Sequence, residues 1–360
     1  MWYETKVTRT LNIKYPIIQA GMAGGVTTPE LVASVSNSGS LGNIGAGYMS
    51  AEQLKVNIEK VKQLTDKPFG VNLFIPESPE ISEKEINKAN EWLQPFREEL
   101  NLSEVSEVKK ANALIFEAQI KVIIEEEVPV CSFTFGLPSK EIVERLKKKN
   151  IVIIGTATTV KEAVANEEIG MDMVVVQGSE AGGHRGTFMG SFEDAMIGTM
   201  AFVPQTVDHV NIPVIAAGGI MDGRGVLSAM ILGAEAVQMG TAFVTSLESG
   251  AKEQHKEAVL RSFEDQTVVT STFSGKPARG IRNKFITKME SHEKEVPKYP
   301  IQNTLTQSIR KEAAKQNRPE WMSLWCGQNP RSSKQQSVSE MMSEILSEID
   351  SIVIGKIKEW

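Results

Sequence analysis

Ile212-Pro213-Val214-Ile215-Ala216-Ala217-Gly218-Gly219-Ile220-Met221-Asp222-Gly223-Arg224-Gly225-Val226-Leu227 decides the fold. A short apolar run ends in two glycines, and Asp222 then starts a helix with Val226, Leu227, Met230 and Ile231 on one face. A run without polar alternation belongs to a parallel strand buried on both faces, so the stretch is one strand–turn–helix unit. Seven further runs repeat it along the chain, at 16–20, 41–47, 68–75, 128–135, 151–157, 171–177 and 236–244. Thr28 and Pro29 supply an N-cap and a first helical position after the first run. Leu54, Ile58 and Val61 give the next helix its core face. Eight such units in succession point to a closed (β/α)₈ TIM barrel over residues 1–245. An open doubly wound sheet is the alternative, since no sequence pattern proves closure.

Two stretches exceed a minimal barrel. Residues 77–127 are charged and helical in pattern, longer than one crossover needs, and residues 246–334 read as a helical lobe. The aromatic cluster at 321–325 is expected to pack internally. Met341, Ile345, Ile349 and Ile352 then place a C-terminal helix over 335–360 that returns to the barrel. The lobe is thus inserted before the last barrel helix.

Of 360 residues, 41% are hydrophobic and 23% charged, which supplies a large core. The net charge of -6 comes with no basic stripe, which argues against a nucleic-acid partner. No run of apolar residues is long enough to span a membrane. The first residues have neither a basic nor an apolar leader region, and the two cysteines, Cys131 and Cys326, make no disulfide framework. A cytoplasmic protein, monomer or homodimer, is expected.

In such a barrel the chemistry lies at the C-terminal strand ends, and a phosphate commonly sits on the loops after the seventh and eighth strands. Gly218 and Gly219 occupy the first of these positions, and Gln238-Met239-Gly240-Thr241 the second. Glycine lets backbone N–H groups approach a phosphate, the helix that follows Asp222 adds its dipole, and Thr241 adds a hydroxyl. Directly after the sixth run stands Gln177-Gly178-Ser179-Glu180-Ala181-Gly182-Gly183-His184-Arg185-Gly186. It carries His184 to the same rim, where an imidazole that titrates near neutrality is a candidate catalytic group. Arg185 is the weaker candidate, and Cys131, inside an apolar strand, reads as core. His209, His255 and His292 lie elsewhere and share no metal-site spacing, so no metal is expected.

Gly-Met-Ala-Gly-Gly at 21–25, Gly-Thr-Ala-Thr-Thr at 155–159, the 177–186 loop and Ala-Ala-Gly-Gly-Ile-Met-Asp-Gly-Arg-Gly at 216–225 together resemble nitronate monooxygenases, particularly the class acting on small alkyl nitronates. The resemblance covers residues 15–245 well and the lobe loosely. It implies non-covalent FMN and oxidation of a nitronate by O₂ to a carbonyl compound and nitrite, with propionate 3-nitronate as the suggested substrate. It also implies flavin contacts from Asn72, Gln177, Gly182 and Gly183, with Met22 and Ala23 lining one side of the ring. Gly219 and Gln238 to Thr241 would hold the phosphate, and His184 would stabilise the anion or act as base. Relatives often have histidine where this chain has Thr134, which cannot carry a charge.

Rival readings on the same barrel are an FMN-dependent enoyl-acyl-carrier-protein reductase, an NADH:quinone reductase, and a flavin carrier or sensor without turnover. An IMP dehydrogenase-type enzyme would need a loop cysteine that this chain lacks.

Overall fold

The computed structural model describes residues 1–77, 79–80, 82–102 and 113–359. Among these, β1 (Ile17–Gln19), β2 (Gly42–Gly45), β3 (Phe69–Phe74), β4 (Val130–Thr134), β5 (Val152–Ala157) and β6 (Met173–Gln177) follow the first six apolar runs. A two-residue strand, β7 (Gly183–His184), precedes β8 (Val214–Ala217) and β9 (Ala236–Met239). Every pairing in the eight-stranded sheet is parallel, in the order β1-β9-β8-β6-β5-β4-β3-β2. A parallel bridge from Ile18 to Leu41 joins its two ends, and the fold is a (β/α)₈ barrel. The helix Lys6–Leu11 plugs the bottom, packing Val7 and Leu11 against Ile18, Leu41, Val130, Ile154 and Ile215.

Capping follows the sequence closely. Thr28 Oγ1 accepts from Leu31 N with Pro29 first in the helix, and Asp222 caps the helix Gly223–Ile231 by accepting from Gly225 N. That helix buries Val226 and Ala229, whereas Ile231, read as part of its core face, is 83% exposed. The eighth run also splits. Its strand ends at Met239, and Thr241–Val244 forms a helical turn with Phe243 fully buried. A continuous apolar run does not distinguish a buried strand from a buried helix, and Gly240 is where the backbone turns.

The 246–334 stretch is less helical than its composition suggests. Besides the helices Glu253–Arg261, Lys284–Met289 and Ile301–Lys315 it contains β10 (Thr267–Thr270) and β11 (Ala278–Ile281). These strands are antiparallel, and β11 also pairs with β7, so the lobe grips the barrel loop that carries His184. The helix Glu83–Glu99 joins this lobe rather than the barrel wall. Its Leu93 and Phe96 share a core with Phe285 and Trp321, with the Phe96 and Phe285 rings 4.6 Å apart. The helix Ala113–Glu125 instead packs Phe116 and Ile120 on the barrel against Leu54, Ile58 and Phe133. The rest of the long 77–127 insertion, at 103–112, lies outside the described residues. Finally, Val338–Glu359 buries Met341, Ile345 and Ile349 between the helices Gly223–Ile231 and Pro29–Asn37, the seat of the last barrel helix.

Candidate active site

His184 leaves the end of β6 on the 177–186 loop and is fixed from the lobe side. Its backbone pairs with Ala278, and its ring Nε2 lies 2.9 Å from Ser274 Oγ. Ser274 Oγ donates its one proton to the Lys276 carbonyl at 2.9 Å, so toward His184 it accepts. This assigns the proton to Nε2 and leaves Nδ1 as a lone-pair acceptor with no partner among the described residues. Phe135, Tyr299 and Trp325 surround the imidazole at ring distances of 5.9, 5.9 and 5.3 Å. Burial, then the charges of Arg310 and Lys276, push its pKa down to about 3. The expectation of a group titrating near neutrality therefore fails: aromatic walls desolvate the ring and two cations oppose its protonation. At pH 7 this is a neutral imidazole. Phe135 itself stands at φ 76°, a conformation rare for an aromatic residue, as strained backbone at a functional site often is.

The glycines divide into two kinds. A Cβ built on Gly183 would meet nothing within 4 Å; on Gly240 it would come no nearer than 3.8 Å to Ala20 Cβ; on Gly219 it would only touch Glu180 at 3.4 Å. These three face open space at the C-terminal ends of the strands. By contrast, a Cβ on Gly182 would lie 2.5 Å from Gly327 N, and one on Gly218 2.9 Å from Thr199 Oγ1. Those two glycines let protein pack on protein.

The polar residues divide likewise. Asn72 Nδ2 bonds Ser132 Oγ and Thr134 Oγ1, leaving Oδ1 free among the described residues. Gln238 is half-buried and has no side-chain partner among them. Gln177 is spent largely inside the loop, donating to His184 O at 2.9 Å and accepting from Gly186 N at 2.8 Å. Met239 is buried in the core, and its backbone is engaged by pairing with β1, its carbonyl accepting from Ala20 N, so it is spent in the barrel wall. Met22 and Ala23 are half-buried on the loop after β1, with Met22 Sδ 4.0 Å from the Cβ position of Gly240. Thr241 Oγ1 accepts from Gly327 N at 2.9 Å and keeps its own proton to donate. The helix dipole expected at Gly223–Ile231 is already answered, because Asp222 caps Gly225 N and Glu348 Oε2 takes Gly223 N at 2.8 Å.

Several site residues had no signal in the sequence. Gly327 N bonds Thr241, Gln328 N bonds Glu180 O at 2.9 Å, and Asn329 Nδ2 reaches Gly219 O at 3.4 Å. A segment of the lobe thereby straps three barrel loops together. Glu162, fully buried, accepts from Phe188 N and Met189 N and pins the loop downstream of His184. Arg185 is 1% exposed and donates to the carbonyls of Gly178, Gln177 and Ala195, which makes it a brace of the backbone. A chain-distant partner leaves no local periodicity to read. His209, on the opposite rim, bonds Gln205 O, and His255 bonds Trp325 O. Cys131 is fully buried, and its thiol is pushed upward in pKa by that burial.

This barrel, with a histidine loop, a free amide rim and open glycine loops, defines a flavin-dependent oxidoreductase once it is set beside known proteins. A family model described as nitronate monooxygenase matches residues 4–348. The chain belongs to the nitronate monooxygenase family. It is 53% identical over 359 residues to a probable nitronate monooxygenase of Staphylococcus haemolyticus, covering 98% of this chain and 99% of that one. A Staphylococcus aureus relative of the same description is 54% identical over 354 residues, with coverages of 98% and 99%. Among solved structures it is similar to a nitroalkane oxidase from Streptomyces ansochromogenes, at TM-score 0.90 and 36% identity, covering 97% and 99% of the two chains. It is also similar to FabK from Thermotoga maritima, at TM-score 0.78 and 34% identity, covering 99% of each.

Proposed function

We propose that the protein binds FMN non-covalently and uses O₂ to oxidise small alkyl nitronates, propionate 3-nitronate among them, to a carbonyl compound and nitrite. The observation that carries this reading is the open rim of Gly183, Gly219 and Gly240 beside the free Asn72 Oδ1 and Gln238 amide, next to a neutral His184. Gly219 N–H, Gly240 and the Thr241 hydroxyl would hold the phosphate; Asn72, Gly183 and Gln238 would face the ring system, with Met22 and Ala23 at its side. FMN, when bound, supplies the electron transfer that neither His184 nor any other side chain here provides. A nitronate has already lost its α-proton, so it needs an anion site more than a strong base. His184 presents only the lone pair of Nδ1, which a nitronate oxygen cannot use, so its neutral ring would shape the substrate pocket by contact and leave the anion to other donors. The lobe residues Tyr299 and Trp325 exclude water from that face.

The likeness to the enoyl reductase domain of MlnA from Bacillus amyloliquefaciens, at TM-score 0.64 and 12% identity, concerns the fold alone and lends the enoyl reductase reading no support. Two assays test the proposal. Titration with FMN and with riboflavin should give quenching of flavin fluorescence, tighter for FMN by at least about 10-fold if the phosphate is held by charge-assisted or backbone hydrogen bonds. The FMN-loaded protein in air should release nitrite from propyl-1-nitronate. Equal affinity for the two flavins contradicts the phosphate site, and absence of nitrite contradicts the activity.

A further inference from the structure

Arg310 is a half-buried cation that the reaction as described does not use. It stands on the lobe helix Ile301–Lys315, with Nε bonded to Thr306 Oγ1 at 3.2 Å and Nη2 to the carbonyl and Oδ1 of Asn303, both at 2.8 Å. All three partners are neutral. Nη1 has no hydrogen-bond partner, and no carboxylate lies within salt-bridge distance of the guanidinium, among the described residues. The other cation near His184, Lys276, is already balanced by Glu77 at 2.6 Å. The remaining neighbours of Arg310 are two phenols, Tyr48 and Tyr299, which influence each other's ionisation as well as that of the guanidinium. Tyr48 is 45% exposed and marks the outer side of the cluster, while Tyr299 reaches inward to His184.

A half-buried guanidinium whose protein partners are all neutral is placed to take an arriving counter-charge. Guanidinium presents a planar fork that fits a two-oxygen anion. Both a nitronate and a carboxylate have that shape. Arg310 belongs to the lobe helix Ile301–Lys315, whereas Gly183 and Gly240 stand on barrel loops, so a nitronate at those glycines would leave Arg310 for another group.

We propose that Arg310, with the Tyr48–Tyr299 hydroxyl pair, docks a second, non-reacting anionic group of the substrate, a carboxylate carried near the nitronate carbon, and so determines specificity. This inference rests on the nitronate reading and deepens it, but its test has an arm independent of turnover. Succinate has the spacing of a nitronate and a carboxylate across two carbons; butyrate has one carboxylate and the same length. Calorimetry on the FMN-loaded protein should show succinate binding about 10–100-fold tighter than butyrate, the range of one hydrogen bond to a charged group. Arg310→Met should bring the two affinities together, and Arg310→Lys should keep part of the preference. In turnover, the ratio of kcat/KM for propionate 3-nitronate over butyl-1-nitronate should fall by a similar factor in Arg310→Met, mostly through KM. Tyr48→Phe, which keeps the guanidinium, serves as the second variant if Arg310→Met does not hold flavin, and should weaken succinate several-fold. No preference for succinate in the wild type overturns the proposal. Equal losses on both nitronates in Arg310→Met overturn it as well, by assigning Arg310 to the nitronate itself. A succinate preference lost in Arg310→Met, in a protein that oxidises neither nitronate, leaves the anion site standing and removes the proposed function instead.

Discussion

His184 shows what position alone reveals and what it hides. Its place after the sixth apolar run was enough to bring it to the chemical rim, but its ionisation depends on Ser274, Lys276, Tyr299 and Arg310, none of them near it in the chain. The pH consequence has a definite sign. The folded pKa of about 3 lies below the unfolded value of 6.5, so between these limits the unfolded chain binds a proton that the fold refuses. Stability from this group is intact above pH 6.5 and declines as pH falls toward 3, by up to about 1.4 kcal/mol per pH unit. His184→Asn should therefore narrow the drop in urea midpoint between pH 7 and pH 5. It should not abolish it, because burial also lowers the pKa of His255. An unchanged drop would mean that His184 titrates normally. In the same way, kcat/KM should show no inflection from His184 between pH 5 and 8.

At the scale of elements, the barrel strands were legible because burial on both faces writes a continuous apolar run, and their caps were legible because Thr28 and Asp222 are the right residues in the right places. What was hidden depended on pairing at a distance. Gly183–His184 has no strand character of its own and becomes a strand only against Ala278 and Arg279. Thr267–Thr270 is short and sits in a charged, helix-rich context. The adjacent glycines at 182 and 183 look alike in sequence and are opposite in space. Gly182→Ala should push against Gly327 and Cys326, where its Cβ would come within 2.6 Å of backbone, costing about 1–3 kcal/mol in stability and loosening the strap. Gly183→Ala meets open space but stands at φ 75°, so it should cost about 1–2 kcal/mol and mainly weaken flavin affinity. Paired thermal melts and FMN titrations distinguish them; identical profiles for the two variants would show that the glycines do the same work.

The whole molecule is a barrel whose last helix seat is filled by the end of the chain after the lobe has been built. That arrangement makes Val338–Glu359 part of the barrel core, since Val338, Met341, Met342, Ile345 and Ile349 are all buried in the cluster that holds Val226 and Phe243. Exposing five such side chains removes about 1.5–3 kcal/mol each, comparable with the entire stability of a domain. A chain ending at residue 337 should fail to give soluble folded protein, and one that melted like the full chain would contradict this packing. The position of the lobe was readable from the excess length after the eighth run. Its role was not, because gripping the histidine loop, strapping the loops after β6, β8 and β9 and bringing Arg310 near His184 all rest on residues 274–329 reaching back to the barrel.

If this rim oxidises nitronates through a bound flavin, an anaerobic mixing experiment will show it. The FMN-loaded protein is mixed without oxygen, first with propyl-1-nitronate and separately with NADH, while the visible flavin band is followed. The nitronate should bleach the flavin, NADH should have little effect, and nitrite should appear when air is readmitted. Rapid bleaching by NADH with no response to the nitronate would contradict this function and assign the barrel to a reductase.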